Sequence, residues 1–328
     1  PFVPGHEVAG VVDEGATDHT GRPLDPGARV VVEPVLGCAP RSIEPFCPEC
    51  AVGHTGLCEN VAFGELSPGL QTGYCADTGG GWSTAGVVAH PSQIHRVPDS
   101  FSDEDAVMVE PTACAVHAAL SAGVQEDDLV AVVGAGTLGL LTVAALHRLV
   151  RPDQPATFVV GAKYAHQSDL ARELGADVAV PHDQLARTVR ARSRSLVVGG
   201  QLTGGADVVL DCVGSAASLE SSLAMVRPRG RVVVVGMPGP ATIDLAPLWH
   251  REVALVGAYA YGTEGPVPAG RRSFELAFDV VPAAGLGRLV SATYPLERFE
   301  EAIAHAGGAG RRGATKIAFD LRNRRRAA

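Results

Sequence analysis

"VAVVGAGTLGL", residues Val130–Leu140, joins an apolar strand pattern to an apolar helix pattern across three glycines. Gly134, Gly136 and Gly139 stand in G-x-G-x-x-G spacing. The first glycine permits a tight turn, the second lets a pyrophosphate approach the backbone, and the third lets the helix pack on the strand. The N-terminus of such a helix offers unpaired N–H groups and a partial positive charge to phosphate. Alone the pattern is weak, because a glycine-rich turn also occurs in sheets without a ligand. Its weight comes from what surrounds it.

From residue 128 onward, strands and helices alternate. "ATFVVGA", "DVAV", "ADVVLDCVG", "RVVVVGM" and "EVALVGAYAY" read as strands. Between most of them lie helical stretches such as "HQSDLARELGA" and "AASLESSLAMVRPRG". Continuous β-branched runs alternating with helices predict a parallel sheet covered on both faces, an α/β fold. The predicted dinucleotide contacts are Gly134, Gly136, Thr137, Leu138 and Gly139, with Val213 and Gly236 at the ends of later strands. An NAD site places an acid at the end of the second strand, on the ribose 2′-OH. Here that strand ends "VVGAKYAHQ", and Lys163 stands where the acid is expected. A cation there suits the 2′-phosphate of NADP, although a solvated surface lysine gives the same sequence. The expected cofactor is NAD(P), leaning to NADP.

The first hundred residues read differently, as short strands between Gly/Pro turns, which suggests a barrel-like or sandwich-like β domain. Ser102 is placed to cap a helix with Asp105 three residues on. Pro111 is expected to divide that helix in two and Gly123 to end it. After residue 270, "RRSFELAFDVVPAAG" and "LERFEEAIAHAG" carry amphipathic helix patterns, and "ATKIAFDL" reads as a closing strand.

Four of the seven cysteines, Cys38, Cys47, Cys50 and Cys58, fall within twenty-one residues. A Cys-x2-Cys step on a turn brings two thiolates to one ion, and tetrahedral Zn²⁺ accepts four sulfurs. A structural zinc is therefore expected. Cys38 is the natural fourth ligand, with Glu44 the alternative, since it stands where an evenly spaced C-x2-C-x2-C would place its first member. A metal-free loop of buried thiols is the plainer reading.

The chain has 328 residues and a net charge of −9, which argues against a nucleic-acid surface. The basic run "RNRRR" (322–326) reads as a solvated tail. No signal peptide and no apolar run long enough to span a membrane is evident, so a cytoplasmic location and no membrane partner are expected.

Several stretches together resemble the medium-chain dehydrogenase/reductase superfamily, specifically its zinc-dependent alcohol, polyol and threonine dehydrogenases. They are "GHEVAGVV" (5–12), "PGARVVV", the cysteine lobe, "GGGWS" (79–83), "VEPTACAVHA" (109–118), "VVGAGTLG", "GADVVLDCVG", "GRVVVVG" and "YPLERFEEAIAHA". The resemblance implies a GroES-like β-rich catalytic domain around a Rossmann doubly wound parallel-sheet domain. The implied division is 1–118 catalytic, 119–284 NAD(P)-binding, and 285–328 a return to the catalytic domain. It also implies a homodimer or homotetramer, often joined through the last strand of the nucleotide sheet, here "EVALVGAYAY".

In the polyol branch the catalytic zinc is held by a Cys, the His of GHE and the Glu of an "EP" step. By position these are His6 and Glu110, with Glu7 beside the metal and able to exchange into its shell. Read alone, His6–Glu7 is a surface dipeptide and Glu110 only opens a helix at Pro111. Cys114, four residues past Glu110, is not the direct match to the Cys of other branches, and His117 reads as a packed helix residue. The implied reaction is hydride transfer between an alcohol, polyol or sugar and the nicotinamide, with zinc as Lewis acid. The family's Cys ligand and its proton-relaying Ser or Thr precede the GHE, and this sequence starts five residues before His6. An N-terminally incomplete catalytic domain is expected, with weak catalytic-zinc binding and little activity for the chain as written. A zinc-independent quinone or enone reductase and a non-catalytic nucleotide-binding protein are the alternatives.

Overall fold

The computed structural model describes residues 1–265 and 270–322, so the basic run beyond Arg322 lies outside the described residues. The chain forms two units: Pro1–Ala113 with Ala260–Ala309 and Lys316 onward, and Cys114–Tyr259 with Gly310–Thr315.

The first unit begins with β1 (Val8–Val11), β2 (Arg29–Val32) and β3 (Ile94–Arg96), an antiparallel sheet in the order β1-β2-β3. Val30 and Ile94 pack there with Leu24. The strands expected through "GGGWSTAGVVAHPSQIHRVPDS" shrink to β3. The reason is that its glycines bond to the start of the chain instead of to a ladder. Gly81 N donates to Gly5 O at 2.8 Å and Trp82 N to Pro4 O at 2.9 Å. A Cβ on Gly80 would lie 2.0 Å from Val3 O, so only glycine permits this approach.

α1 (Asp103–Val107) opens with the expected reciprocal cap: Asp105 N donates to Ser102 Oγ and Ser102 N to Asp105 Oδ2, both at 3.0 Å. α2 (Val109–Ser121) follows. The division falls at Met108 rather than at Pro111. Pro111 sits in the first turn of α2, where a helix does not need its N–H.

The second unit holds six parallel strands: β4 (Leu129–Val133), β5 (Thr157–Ala162), β6 (Val178–Pro181), β7 (Ala206–Asp211), β8 (Val226–Val234) and β9 (Ala254–Gly257). Their order is β9-β8-β7-β4-β5-β6. Helices α3 (Thr137–Ala145), α4 (Ala165–Glu173), α5 (Leu185–Arg192) and α6 (Ala216–Met225) lie between them in sequence. Ala131, Val159, Val209 and Val232 from the sheet pack with Leu185, Val189, Leu223 and Met225 from helices. The strand order reverses between β4 and β7, so Gly134, at the carboxyl end of β4, sits at the topological switch point where such sheets bind ligands.

Two sequence-based boundaries move. The chain leaves the first unit within α2, after Ala113, and re-enters it at Ala260 rather than near 285. α7 (Ser273–Ala284) therefore belongs to the first unit. Its packing explains why: Phe274 stacks on His95 at 4.8 Å, Arg272 donates to Glu33 Oε2 at 2.5 Å, and Thr263 N donates to Gly53 O at 3.1 Å. β10 (Val290–Tyr294), α8 (Phe299–Gly307) and β11 (Lys316–Phe319) complete that unit, with β10 parallel to β11. Among the described residues no helix is long and apolar enough to cross a membrane.

Candidate functional site

His6 and Glu7 ride on a bend that glycines make possible. Gly5 has φ +100°, a conformation that suits glycine, and a Cβ there would meet Trp82 Cδ1 at 2.6 Å. A Cβ on Gly73 would strike Gly5 O at 2.6 Å. The His6 ring lies 5.5 Å from that of Tyr74. Glu110, in the first turn of α2, is 2% exposed. The fold brings it to the bend: ligand atoms of His6, Glu7 and Glu110 all lie within 4.8 Å of one another. Burial lowers the pKa of His6, opposed by Glu7 and reinforced by Lys316, which favours a neutral imidazole with a free lone pair. One imidazole and two carboxylates form a donor set suited to Zn²⁺. Neither Cys114 nor His117 joins this group.

Sequence reasoning missed Lys316. It comes from β11, its side chain is 13% exposed, and its ammonium donates to Glu7 Oε2. Only its place in "ATKIAFDL", a strand otherwise free of cations, hinted at it.

In the cysteine lobe Cys38, Cys47, Cys50 and Cys58 converge, all buried, while Glu44 is exposed and outside the group. The fourth member is thus Cys38. The Cys38–Cys58 sulfur distance is 3.7 Å and the Cys47–Cys58 distance 4.0 Å. A tetrahedron with Zn–S bonds of ~2.3 Å requires sulfurs about 3.8 Å apart, so the thiols fit that ion. Backbone N–H groups point at the sulfurs: Cys38 N at Cys50, Cys47 N at Cys38 and Cys50 N at Cys47, each 3.4 Å, and Asn60 N at Cys58, 3.3 Å. Such donors favour thiolate. Burial opposes ionisation of Cys47, but the N–H donors of Cys50 and Glu59 prevail and bring it down to about 7. Burial pushes Cys50 and Cys58 up. Without a metal the cluster would carry few charges, and the cation is what would ionise the rest.

In the G-x-G-x-x-G stretch, Gly134 and Gly139 sit where a side chain would clash, and Gly136 where the backbone is open. Gly134 has φ +90°, and a Cβ there would lie 2.6 Å from Val213 Cγ2. Gly136 caps α3 and has open space before it. A Cβ on Gly139 would lie 2.0 Å from Gly134 O. Leu138 is half-buried. Thr137 Oγ1 donates to Thr315 O at 2.8 Å, which leaves its backbone N–H for a ligand. Asp211, fully buried at the end of β7, accepts from Val213 N and Gly214 N at 2.9 and 3.1 Å and from Ser218 Oγ at 2.8 Å. Those bonds hold the loop bearing Val213, which packs against buried Gly236: a Cβ there would lie 2.5 Å from Val213 C. Lys163 is exposed just past β5, its ammonium 5.9 Å over the Tyr164 ring.

Residues 1–99 match the alcohol dehydrogenase GroES-like domain, and residues 156–276 match the zinc-binding dehydrogenase family. A sorbitol dehydrogenase of Arabidopsis thaliana is 30% identical over 271 residues, covering 81% of this chain and 67% of the relative. An L-idonate 5-dehydrogenase of Vitis vinifera is 29% identical with the same coverage. Among solved structures, a candidate zinc-binding dehydrogenase of Sinorhizobium meliloti 1021, bound to NADP, is 26% identical with a TM-score of 0.67. That similarity covers 93% of this chain and 80% of the other.

Proposed function

The chain belongs to the zinc-dependent medium-chain dehydrogenase/reductase family, and from that premise we propose that it oxidises a polyol or sugar alcohol with NADP as hydride acceptor. The observation that carries this reading is the convergence of Glu110 with His6 and Glu7, more than a hundred positions away in the chain, their ligand atoms within 4.8 Å of one another. Zinc held by these donors supplies Lewis-acid polarisation of the substrate's hydroxyl oxygen. His6 contributes a neutral nitrogen, Glu110 a buried carboxylate anchored by α2, and Glu7 a carboxylate shared with Lys316. In the second unit the N-terminus of α3 would hold the pyrophosphate, with open space at Gly136 to admit it. A bound nicotinamide would supply the acceptor for the carbinol hydrogen as hydride, and the hydroxyl proton would leave to water. Sorbitol and L-idonate, named for two relatives, set the substrate class.

Cys38, Cys47, Cys50 and Cys58 would hold a second, structural zinc, since four thiolates fill a tetrahedral shell. Seven unbridged thiols favour a reducing compartment, hence the cytoplasm. An exposed β9 edge, with Val256 uncovered, supports pairing of two copies there.

The test is zinc analysis with absorbance assays on sorbitol, L-idonate and xylitol, using NADP⁺ and NAD⁺. Slow polyol-dependent reduction that stops with a chelator and returns with zinc is expected. Chelator-insensitive turnover of a quinone or enone instead would make the protein a zinc-free reductase. Nucleotide binding with no turnover would make it non-catalytic.

A further inference from the structure

We propose that Arg311 and Arg312, from near the end of the chain, join Lys163 in a cationic rim that receives the 2′-phosphate of NADP and sets the choice between NADP and NAD. The inference rests on the reading that the second unit binds a nicotinamide dinucleotide.

Gly310–Thr315 packs with the second unit although the residues on either side belong to the first. Two contacts fix it there. Gly310 lies against the Tyr164 ring so closely that a Cβ would sit 2.3 Å from Cε2. Thr315 O accepts from Thr137 Oγ1 at 2.8 Å. Tyr164 follows Lys163 just past β5, where the adenosine ribose is read. Thr137 opens α3, where the pyrophosphate is bound. The six residues therefore run from the ribose end of the site to its phosphate end, with Arg311 and Arg312 directly after the Tyr164 anchor.

Their charges are uncommitted. Both side chains are exposed, and among the described residues neither makes an ion pair or hydrogen bond. Among the described residues Lys163 has no carboxylate partner either, its ammonium lying over the Tyr164 ring. Elsewhere in this chain Arg29, Arg151, Arg227 and Arg272 each pair with an acid. Three unpaired cations beside one ribose position stand out in a protein of net charge −9. No acid occupies the end of β5 to prefer a 2′-OH. A phosphate monoester with a charge of roughly −1.5 to −2 suits a guanidinium fork, which binds it through paired N–H donors.

The experiment is titration of the full chain and its Arg311→Ala/Arg312→Ala double variant with NADP⁺ and NAD⁺ by calorimetry at two salt concentrations. The wild type is expected to bind NADP⁺ at least tenfold more tightly than NAD⁺, with an affinity that falls as salt rises. The double variant should lose at least tenfold in NADP⁺ affinity while its NAD⁺ affinity stays within twofold, which also reports an intact fold. Competition by 2′,5′-ADP, but not by 5′-ADP, should weaken in parallel. An unchanged NADP⁺-to-NAD⁺ ratio in the variant, or a wild type that prefers NAD⁺, overturns the rim. Binding of neither dinucleotide by the wild type would instead remove the nucleotide reading on which the rim rests.

Discussion

Glu7 has a lysine for its counter-ion, and in this chain that choice carries information. The sequence contains two lysines and twenty-five arginines. One lysine faces Glu7 and the other stands just past β5. An arginine would grip the carboxylate through a rigid fork, whereas an ammonium is a point charge that shares it more readily. Lys316→Met should therefore leave fold and thiol centre intact but change metal affinity or turnover by about 10–100-fold, as loss of a partner behind a ligand does. Cobalt substitution, followed by visible absorption, reads the two centres separately. Glu33 presents the opposite case, a buried acid tied into the core. Burial opposes its charge, yet the hydrogen bond from His95 at 2.8 Å and the Arg272 guanidinium hold its carboxyl below the usual range. His95 is kept neutral by burial, more than Glu33 can reverse, with stacked His19 and Arg272 acting in the same direction as burial. A histidine whose folded pKa is lowered binds fewer protons folded than unfolded. Stability should fall as pH drops below about 6.5, and fall again where Glu33 is protonated below the ordinary carboxylate range. Denaturation midpoints measured at about pH 5.5 and 7.5 test this sign, and His95→Gln should narrow the difference. Glu33→Gln leaves Arg272 without its partner and should cost about 2–3 kcal/mol, somewhat less than a fully buried pair because Arg272 keeps some solvent contact.

At the level of elements, the glycines that fit close backbone approaches were legible and the partners they approach were not. Gly134, Gly136 and Gly139 announce a strand–turn–helix because their spacing belongs to that one unit. Gly139→Val would push α3 off β4 against Gly134 O. It should abolish dinucleotide binding and destabilise by about 1–3 kcal/mol, measurable by calorimetry and denaturant titration. Gly80 and Gly81 lie in a stretch whose pattern reads as strands, and Gly73 carries no pattern at all. Their purpose, to let residues 3–5 lie against them, depends on a contact some seventy-five positions away that no local pattern encodes. Lys316 was invisible for the same reason: one cation in a short strand carries no periodic signal. The cysteine spacing was plain, yet it left Cys38 and Glu44 open, because it does not say which way an exposed loop turns.

For the whole molecule, alternating strands and helices gave the parallel sheet and its covering, and the run of amphipathic helix after residue 270 gave no sign of changing unit. The re-entry at Ala260 follows from long-range packing, Arg272 on Glu33 and Phe274 on His95, which helix periodicity does not specify. If the four thiols hold a structural zinc, stripping it should lower the melting temperature of the first unit and leave dinucleotide affinity in the second within twofold. Differential scanning calorimetry of chelated and zinc-restored protein, followed by cofactor titration, measures both.

The interleaving of the two units also imposes an order on biosynthesis. Glu33 leaves the ribosome 239 residues ahead of Arg272. At translation rates of roughly 5–20 residues per second, a carboxylate destined for burial waits roughly 10–50 s for its guanidinium. Cys114–Tyr259, by contrast, is a continuous stretch and has its six strands in hand before that wait is over. The six strands of the second unit are thus free to condense on the nascent chain while the first unit stays open, with Gly310–Thr315 joining them later, and the segment from Ala260 onward closes the earlier half of the first unit around its charges.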